Sequence, residues 1–151
     1  MTVGRTRESH WQAAEARYLA RIRRYVTVEE VSVKEASLPS LKNEELVRRT
    51  EAEALLAKLD RREFVVLLDL EGRQMTSEAF ARFLEQKGME GAQRLVFVVG
   101  GPFGVAEVLR QRADLRLSLS PMTLPHELAK VVLLEQLYRA LTILRGEKYH
   151  K

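Results

Sequence analysis

The sequence predicts an α/β protein built on an open, mostly parallel sheet flanked by helices, and three observations carry that reading. Phe64-Val65-Val66-Leu67-Leu68-Asp69-Leu70 is a nearly continuous apolar run bounded by charge and by Gly72, the pattern of a strand covered on both faces. Leu95 to Val99 is a second such run. Between them Thr76 or Ser77 caps a helix that runs through Leu84 and is closed by Gly88, and a helix between two apolar strands is a βαβ unit.

The remaining elements follow in order. Ser9 reads as an N-cap, and Trp11, Ala14, Tyr18, Ile22 and Tyr25 recur at helical spacing up to the Val26-Thr27 boundary. Val28 to Val33 is a β-branched strand, and Glu29 and Glu30 place it at an edge. Leu38-Pro39-Ser40 breaks the chain, and a second helix runs from Asn43 to about Leu59, its charged face solvated. Gly104 leads into a fourth helix ending near Ala113, and Leu115 to Leu119 is a further short strand. From Pro125, suited to a first helical turn, an apolar pattern from Leu128 to Ile143 gives a long final helix that Gly146 stops.

A chain of 151 residues fits a single domain over 1–151 with a sizeable core. With no cysteine there is no disulfide framework and no thiolate metal site, and a reducing, cytoplasmic setting is expected. No apolar run approaches the ~20 residues that span a bilayer, and the polar start lacks a signal-peptide core, so neither a membrane anchor nor export is expected. The net charge of +4 is modest. Its distribution says more: Arg5 and Arg7 precede a helix on which Arg17, Arg21 and Arg24 share one face, either a phosphate contact or a solvated surface with Glu15 nearby.

Two decoys fall to spacing. His126-Glu127-Leu128-Ala129-Lys130 starts like a zincin helix, but Lys130 stands where the second histidine ligand belongs, and the other histidines, His10 and His150, are scattered, so no metal is expected. Gly100-Gly101-Pro102-Phe103-Gly104 is neither a P-loop, since no Gly-Lys-Ser/Thr follows, nor a dinucleotide fingerprint, since the glycine order and the later acidic residue are missing. What remains is a glycine turn at the carboxyl end of a parallel strand, where open α/β sheets bind ligands, or else a plain strand-to-helix turn. The stretch Ser118 to His126 is polar yet supplies Met122 and Leu124, suited to gripping a flat ring.

Read together, Leu67-Leu68-Asp69-Leu70-Glu71-Gly72, Thr76-Ser77-Glu78, Gly100-Gly101-Pro102-x-Gly104, Ser118-Leu119-Ser120-x-Met122-Thr123-Leu124-Pro125-His126, Leu134-Glu135-Gln136-x-Tyr138-Arg139-Ala140 and the Tyr149-His150-Lys151 end resemble the large-subunit ribosomal RNA pseudouridine N3-methyltransferase family of SPOUT, or trefoil-knot, methyltransferases. The match covers nearly the whole chain. Two departures stand out: only Met1-Thr2 precede Val3-Gly4 where the family has a full strand, and Lys130 stands where the family usually has arginine.

The resemblance implies a C-terminal deep trefoil knot, a rare exception to unknotted topology. It also implies a homodimer, and S-adenosylmethionine held by three loops that map to Leu68, to Gly100, and to Leu119, Ser120, Pro121, Met122, Thr123 and Leu124. The implied substrate is 23S ribosomal RNA within the large subunit or whole ribosome, recognised as a folded surface. His150 is the first candidate to take the N3 proton, with Tyr149 orienting the base or cofactor and Arg139 holding a phosphate or the uracil edge, while His126 ties down its loop. Two other classes fit the residues less well: a non-catalytic RNA- or ribosome-binding dimer of the same fold, and a nucleotide-dependent oxidoreductase.

Overall fold

In the computed structural model, which describes residues 1–36, 43–91 and 94–149, the chain runs β1 (Thr2–Val3), α1 (Ser9–Ile22), β2 (Ser32–Val33), α2 (Glu44–Leu56), β3 (Phe64–Gln74), α3 (Ser77–Met89), β4 (Leu95–Val98), α4 (Glu107–Arg112), β5 (Leu115–Ser118) and α5 (His126–Leu144). Every strand pair is parallel: β3 lies between β4 and β5, and β1 pairs with β2. A parallel bridge from Thr2 to Val99, with the Val99 N–H donating to the Met1 carbonyl at 3.0 Å, sets β1 against β4. Even a two-residue first strand therefore joins the sheet.

The apolar run of β3 is explained by helices on both of its faces. Val65 and Leu67 point into a core with Leu55 of α2 and Leu109 of α4, while Val66 points into one with Phe80 of α3 and Ala140 of α5. All three β3 side chains are at most 1% exposed, and burial of each contributes about 1.5–3 kcal/mol. Helix α1 does not cover the sheet. It packs on α5 through Leu19, Ile22 and Leu134.

Several boundaries differ from the sequence reading for local reasons. Glu8, with no side-chain capping bond, is the N-cap of α1, so Ser9 is its first residue rather than its cap. Glu15 on α1 is buried rather than solvated, and accepts from Thr6 Oγ1. Of the run Val28–Val33 only Ser32 and Val33 pair. Asn43 and Thr76 cap α2 and α3 as expected, their side chains accepting from Leu46 N and Ala79 N. Gly88 does not close α3, which continues to Met89, and Gly91, with φ of 76°, takes the left-handed turn beyond it. The break at Leu38-Pro39-Ser40 lies outside the described residues.

The largest difference is at β3, which does not stop at Leu70. Leu68 and Arg73 both face Leu117 of β5, so residues 69–72 bulge out of the ladder and the strand then resumes to Gln74. Gly72 makes this return possible: a Cβ there would stand 2.7 Å from backbone atoms of Arg116 and Leu117. The glycine that reads as a strand terminator in sequence is the point of closest contact between two strands. Gly72→Ala should force β3 from β5 and cost about 1–3 kcal/mol. Urea denaturation reads this as a lower midpoint with unchanged slope, and a wild-type midpoint would contradict it.

Candidate functional site

Because β4, β3 and β5 are adjacent and parallel, their carboxyl ends share one edge. Leu67 pairs with Val98 and Leu68 with Leu117, so Gly100 and Leu119 each emerge two residues past the residues that flank the end of β3. Strands at ~4.8 Å spacing put the two outer loops roughly 10 Å apart. Leu68 sits between them.

Each loop is shaped from within. In the glycine turn Gly104 N donates to Gly101 O at 3.0 Å, and Gly104 takes φ of 86°. A Cβ on Gly100 would lie 2.6 Å from Val105 Cγ1 and 3.2 Å from Gly104 O, so the turn closes this tightly only around a bare backbone. On the other side Ser118 Oγ donates to Ser120 O at 3.0 Å, and Met122 N donates to Ser120 Oγ at 2.9 Å. These bonds shape the loop, in which Met122 is 76% exposed.

The bulge of β3 is pinned by charge. Asp69, with its side chain 3% exposed, accepts from Arg110 Nε of α4 at 2.9 Å and Arg116 Nε of β5 at 2.8 Å, and Arg116 also reaches Glu71 at 3.2 Å. Burial alone would raise the Asp69 carboxyl, but hydrogen bonds from Arg110 and Glu71 N, with the Arg110 charge and Arg116, outweigh it and hold it below the usual carboxylate range. A hollow of about 10 Å³, lined by Thr6, Gly100, His126 and Lys130 among others, joins the glycine turn to the start of α5. A larger cleft of about 630 Å³ opens between α2 and residues 103–110, and its Arg48, Arg49 and Arg110 are balanced by Glu45, Glu53 and Glu107.

A family model described as "Predicted SPOUT methyltransferase" matches residues 1–150. The chain belongs to the SPOUT methyltransferase family. It is similar over its whole length to proteins named ribosomal RNA large subunit methyltransferase H. That of Carboxydothermus hydrogenoformans is 39% identical over 154 residues, covering 100% of this chain and 97% of that protein. That of Syntrophotalea carbinolica is 42% identical over 151 residues, covering 99% and 96%, and that of Caldicellulosiruptor saccharolyticus 38% over 149 residues, covering 99% and 96%.

In this SPOUT methyltransferase the described C-terminal residues are gathered on α5. Gly146, with φ of 66°, turns the chain back along α5. There Tyr149 Oη donates to Glu135 Oε1 at 3.1 Å, its ring meets Tyr138 edge-on at 4.7 Å, and the Arg139 guanidinium lies over it at 4.9 Å. Arg139 also bonds Glu135 Oε1 through Nε at 3.0 Å. Burial first, then a hydrogen bond with Tyr18 and the Glu135 charge, push the Tyr149 phenol up to about 12, so it stays protonated at neutral pH. Glu135 is nine residues beyond His126, roughly 13 Å along the axis. Arg139 and Tyr149 are thus brought together, and Leu68, Gly100 and Leu119–Leu124 are brought together, as two groups. His150 lies outside the described residues.

Arg17 and Arg24 are exposed, whereas Arg21 stacks on Tyr138 at 5.3 Å. Lys130 pairs with Glu15 at 2.6 Å and Glu30 at 3.4 Å, two point contacts that an ammonium can make without an arginine fork. Among the described residues no three His, Asp or Glu side chains could share a metal ion, and no helix is long and apolar enough to cross a membrane.

Asp69, Arg110 and Arg116 escaped the sequence reading, although a carboxylate inside an apolar run is itself a signal that cationic partners must exist. Asp69→Asn should cost about 2–3 kcal/mol at pH 7, less than for a fully buried pair because each guanidinium keeps about a third of its surface in water. A lowered carboxyl stabilises the fold above the ordinary value of 3.8 and loses that contribution as pH falls through its folded value. The stability difference between wild type and variant should therefore shrink in acid. An equal difference at pH 7 and at about pH 3 would contradict the pairing.

Proposed function

We propose that this SPOUT methyltransferase transfers a methyl group from S-adenosylmethionine to N3 of a pseudouridine in 23S ribosomal RNA, on the large subunit or whole ribosome in the cytoplasm, as a homodimer of single-domain chains. The observation that supports this most is the convergence of Leu68, Gly100 and Leu119–Leu124 on one edge of the sheet, in a chain that matches large-subunit methyltransferases over its full length.

The residues fit the cofactor chemically. The turn at Gly100 and the loop Leu119, Ser120, Pro121, Met122, Thr123 and Leu124 offer backbone groups for the edge of an adenine, with the exposed Met122 and half-buried Leu68 and Leu124 for its faces. When bound, S-adenosylmethionine supplies an electrophilic methyl carbon. The protein's own task is to align N3 with that carbon, a positioning role that pre-organised loops perform well. The N3 proton leaves to a base, and an imidazole suits this near neutral pH, which makes His150 the candidate acceptor. Tyr149, held as a phenol, donates or orients, and Arg139 anchors a phosphate or the uracil edge.

In the homodimer, one protomer's C-terminal residues, gathered by Glu135 on α5, would serve its partner's cofactor site. Arg17 and Arg24, both exposed, would then contact ribosomal phosphates. The direct test is single-turnover transfer from methyl-labelled S-adenosylmethionine to whole ribosomes, large subunits and naked 23S RNA, with the label mapped to a nucleotide. Label at N3 of a pseudouridine in at least one of these substrates is expected. Removal of Tyr149-His150-Lys151 should slow transfer by at least about 100-fold, the usual scale of an acid–base contribution, while cofactor affinity changes little. Ribosome binding without methyl transfer would instead mark a non-catalytic binding protein.

A further inference from the structure

Glu51 is the most poorly satisfied polar group in the described structure. It stands on α2 at the same helical face as Val47 and Leu55, and all three are buried, Glu51 at 4% exposure. One carboxyl oxygen, Oε1, accepts from Ala36 N at 3.3 Å. The other, Oε2, is buried with no hydrogen-bond partner among the described residues, and it lies 2.6 Å from the position a Cβ on Gly101 would occupy. A buried polar atom left unpaired costs about 1–3 kcal/mol, so an apolar side chain at this position would stabilise the fold better. Its presence calls for a role other than stability.

What it touches suggests that role. Gly101 is the second residue of the turn whose closure sets the crevice, and its missing side chain leaves the space that Glu51 Oε2 and Val3 Cγ1 flank. The same helix holds the turn a second time, through Arg48, whose Nη1 donates to Phe103 O at 3.4 Å. Helix α2 therefore backs the turn at two points. Of these, only the contact at Gly101 involves a group that can change its charge in the accessible pH range.

We propose that Glu51 is a positioning residue for cofactor binding: its carboxyl, wedged against Gly101, holds the Gly100–Gly104 turn in its closed shape, and a change in its charge loosens the turn. The inference rests on the reading of this turn as a cofactor site. Burial is the first cause that raises the Glu51 carboxyl, the nearby Glu35 carboxylate raises it further, and the Ala36 N–H opposes them. Glu35 is itself paired with Arg7, and on α2 Arg48 is engaged with Phe103 O and Arg49 with Glu53. At the turn, Val3 Cγ1 and Glu51 Oε2 flank the same space beside Gly101, and Oε2 accepts no hydrogen bond there.

The sign follows. With its proton favoured in the closed turn, Glu51 lowers the fraction of binding-competent protein as pH rises through its pKa, and apparent affinity falls with that fraction, up to about tenfold per pH unit beyond it. Two measurements on the full-length protein, for wild type, Glu51→Gln and Glu51→Ala, test the proposal. The first follows the backbone amide resonances of Gly101 and Gly104 by NMR from roughly pH 5 to 9 without cofactor. The second measures S-adenosylmethionine affinity by calorimetry over the same range.

In wild type both amides should titrate together and affinity should fall as they do. Glu51→Gln, which keeps the shape and cannot ionise, should abolish that titration and bind at all pH values about as tightly as wild type does in acid. Glu51→Ala should bind more weakly throughout. Identical amide titrations in wild type and Glu51→Gln would overturn the proposal whatever the cofactor does. Amides that titrate in wild type alone, in a protein with no affinity for S-adenosylmethionine at any pH, would keep Glu51 as the support of the turn and sink the cofactor reading instead.

Discussion

The β3 backbone runs parallel to both of its neighbours, and this pairing decides where every loop of interest emerges. Antiparallel partners would send their connections to opposite edges of the sheet, whereas parallel ones end together. In this chain the glycine turn, the bulge after Leu68 and the loop from Leu119 rise side by side because Val65 to Leu68 are locked between β4 and β5. Helices on both faces make the lock possible, since parallel sheets are stable when both faces are covered.

Two acidic residues at this edge show contrasting solutions to burial. Asp69 is surrounded by donors from two other elements, so its charge ties the bulge of β3 to α4 and β5. Glu51 receives one backbone N–H and nothing at its second oxygen. A fully paired carboxylate is a fixed joint, while one that is half satisfied can change its protonation as its surroundings move. The sheet edge thus carries a fully paired carboxylate at Asp69 and a half-satisfied one against the glycine turn.

Much of this was legible in the sequence. Apolar runs at 64–70 and 95–99 with a capped helix between them pointed to the parallel sheet, and the glycine turn marked the edge at which the proposed site lies, because ligand sites in open sheets follow strand ends. The misses share a physical cause. Gly72 reads as a terminator in one dimension, and only the approach of β5, more than forty residues later, shows that it is a contact. Glu51 was masked by the many charges of α2, although its i, i+4, i+8 spacing with Val47 and Leu55 already put it on the buried stripe. The return of the chain after Gly146, which joins Tyr149 to Arg139 and Glu135, depends on side-chain contacts that no local pattern encodes.

The central claim is that three loops at one edge of the sheet form a single cofactor site. Amide hydrogen exchange of the full-length protein, with and without saturating S-adenosylmethionine, measures this most directly. Slowed exchange confined to segments 68–73, 100–105 and 119–124 is the expected result, since each contributes backbone to the same ligand. Protection centred on residues 45–53 and 106–110 around the larger cleft, with the loop at 119–124 unchanged, would contradict it and move the site to the other side of the glycine turn.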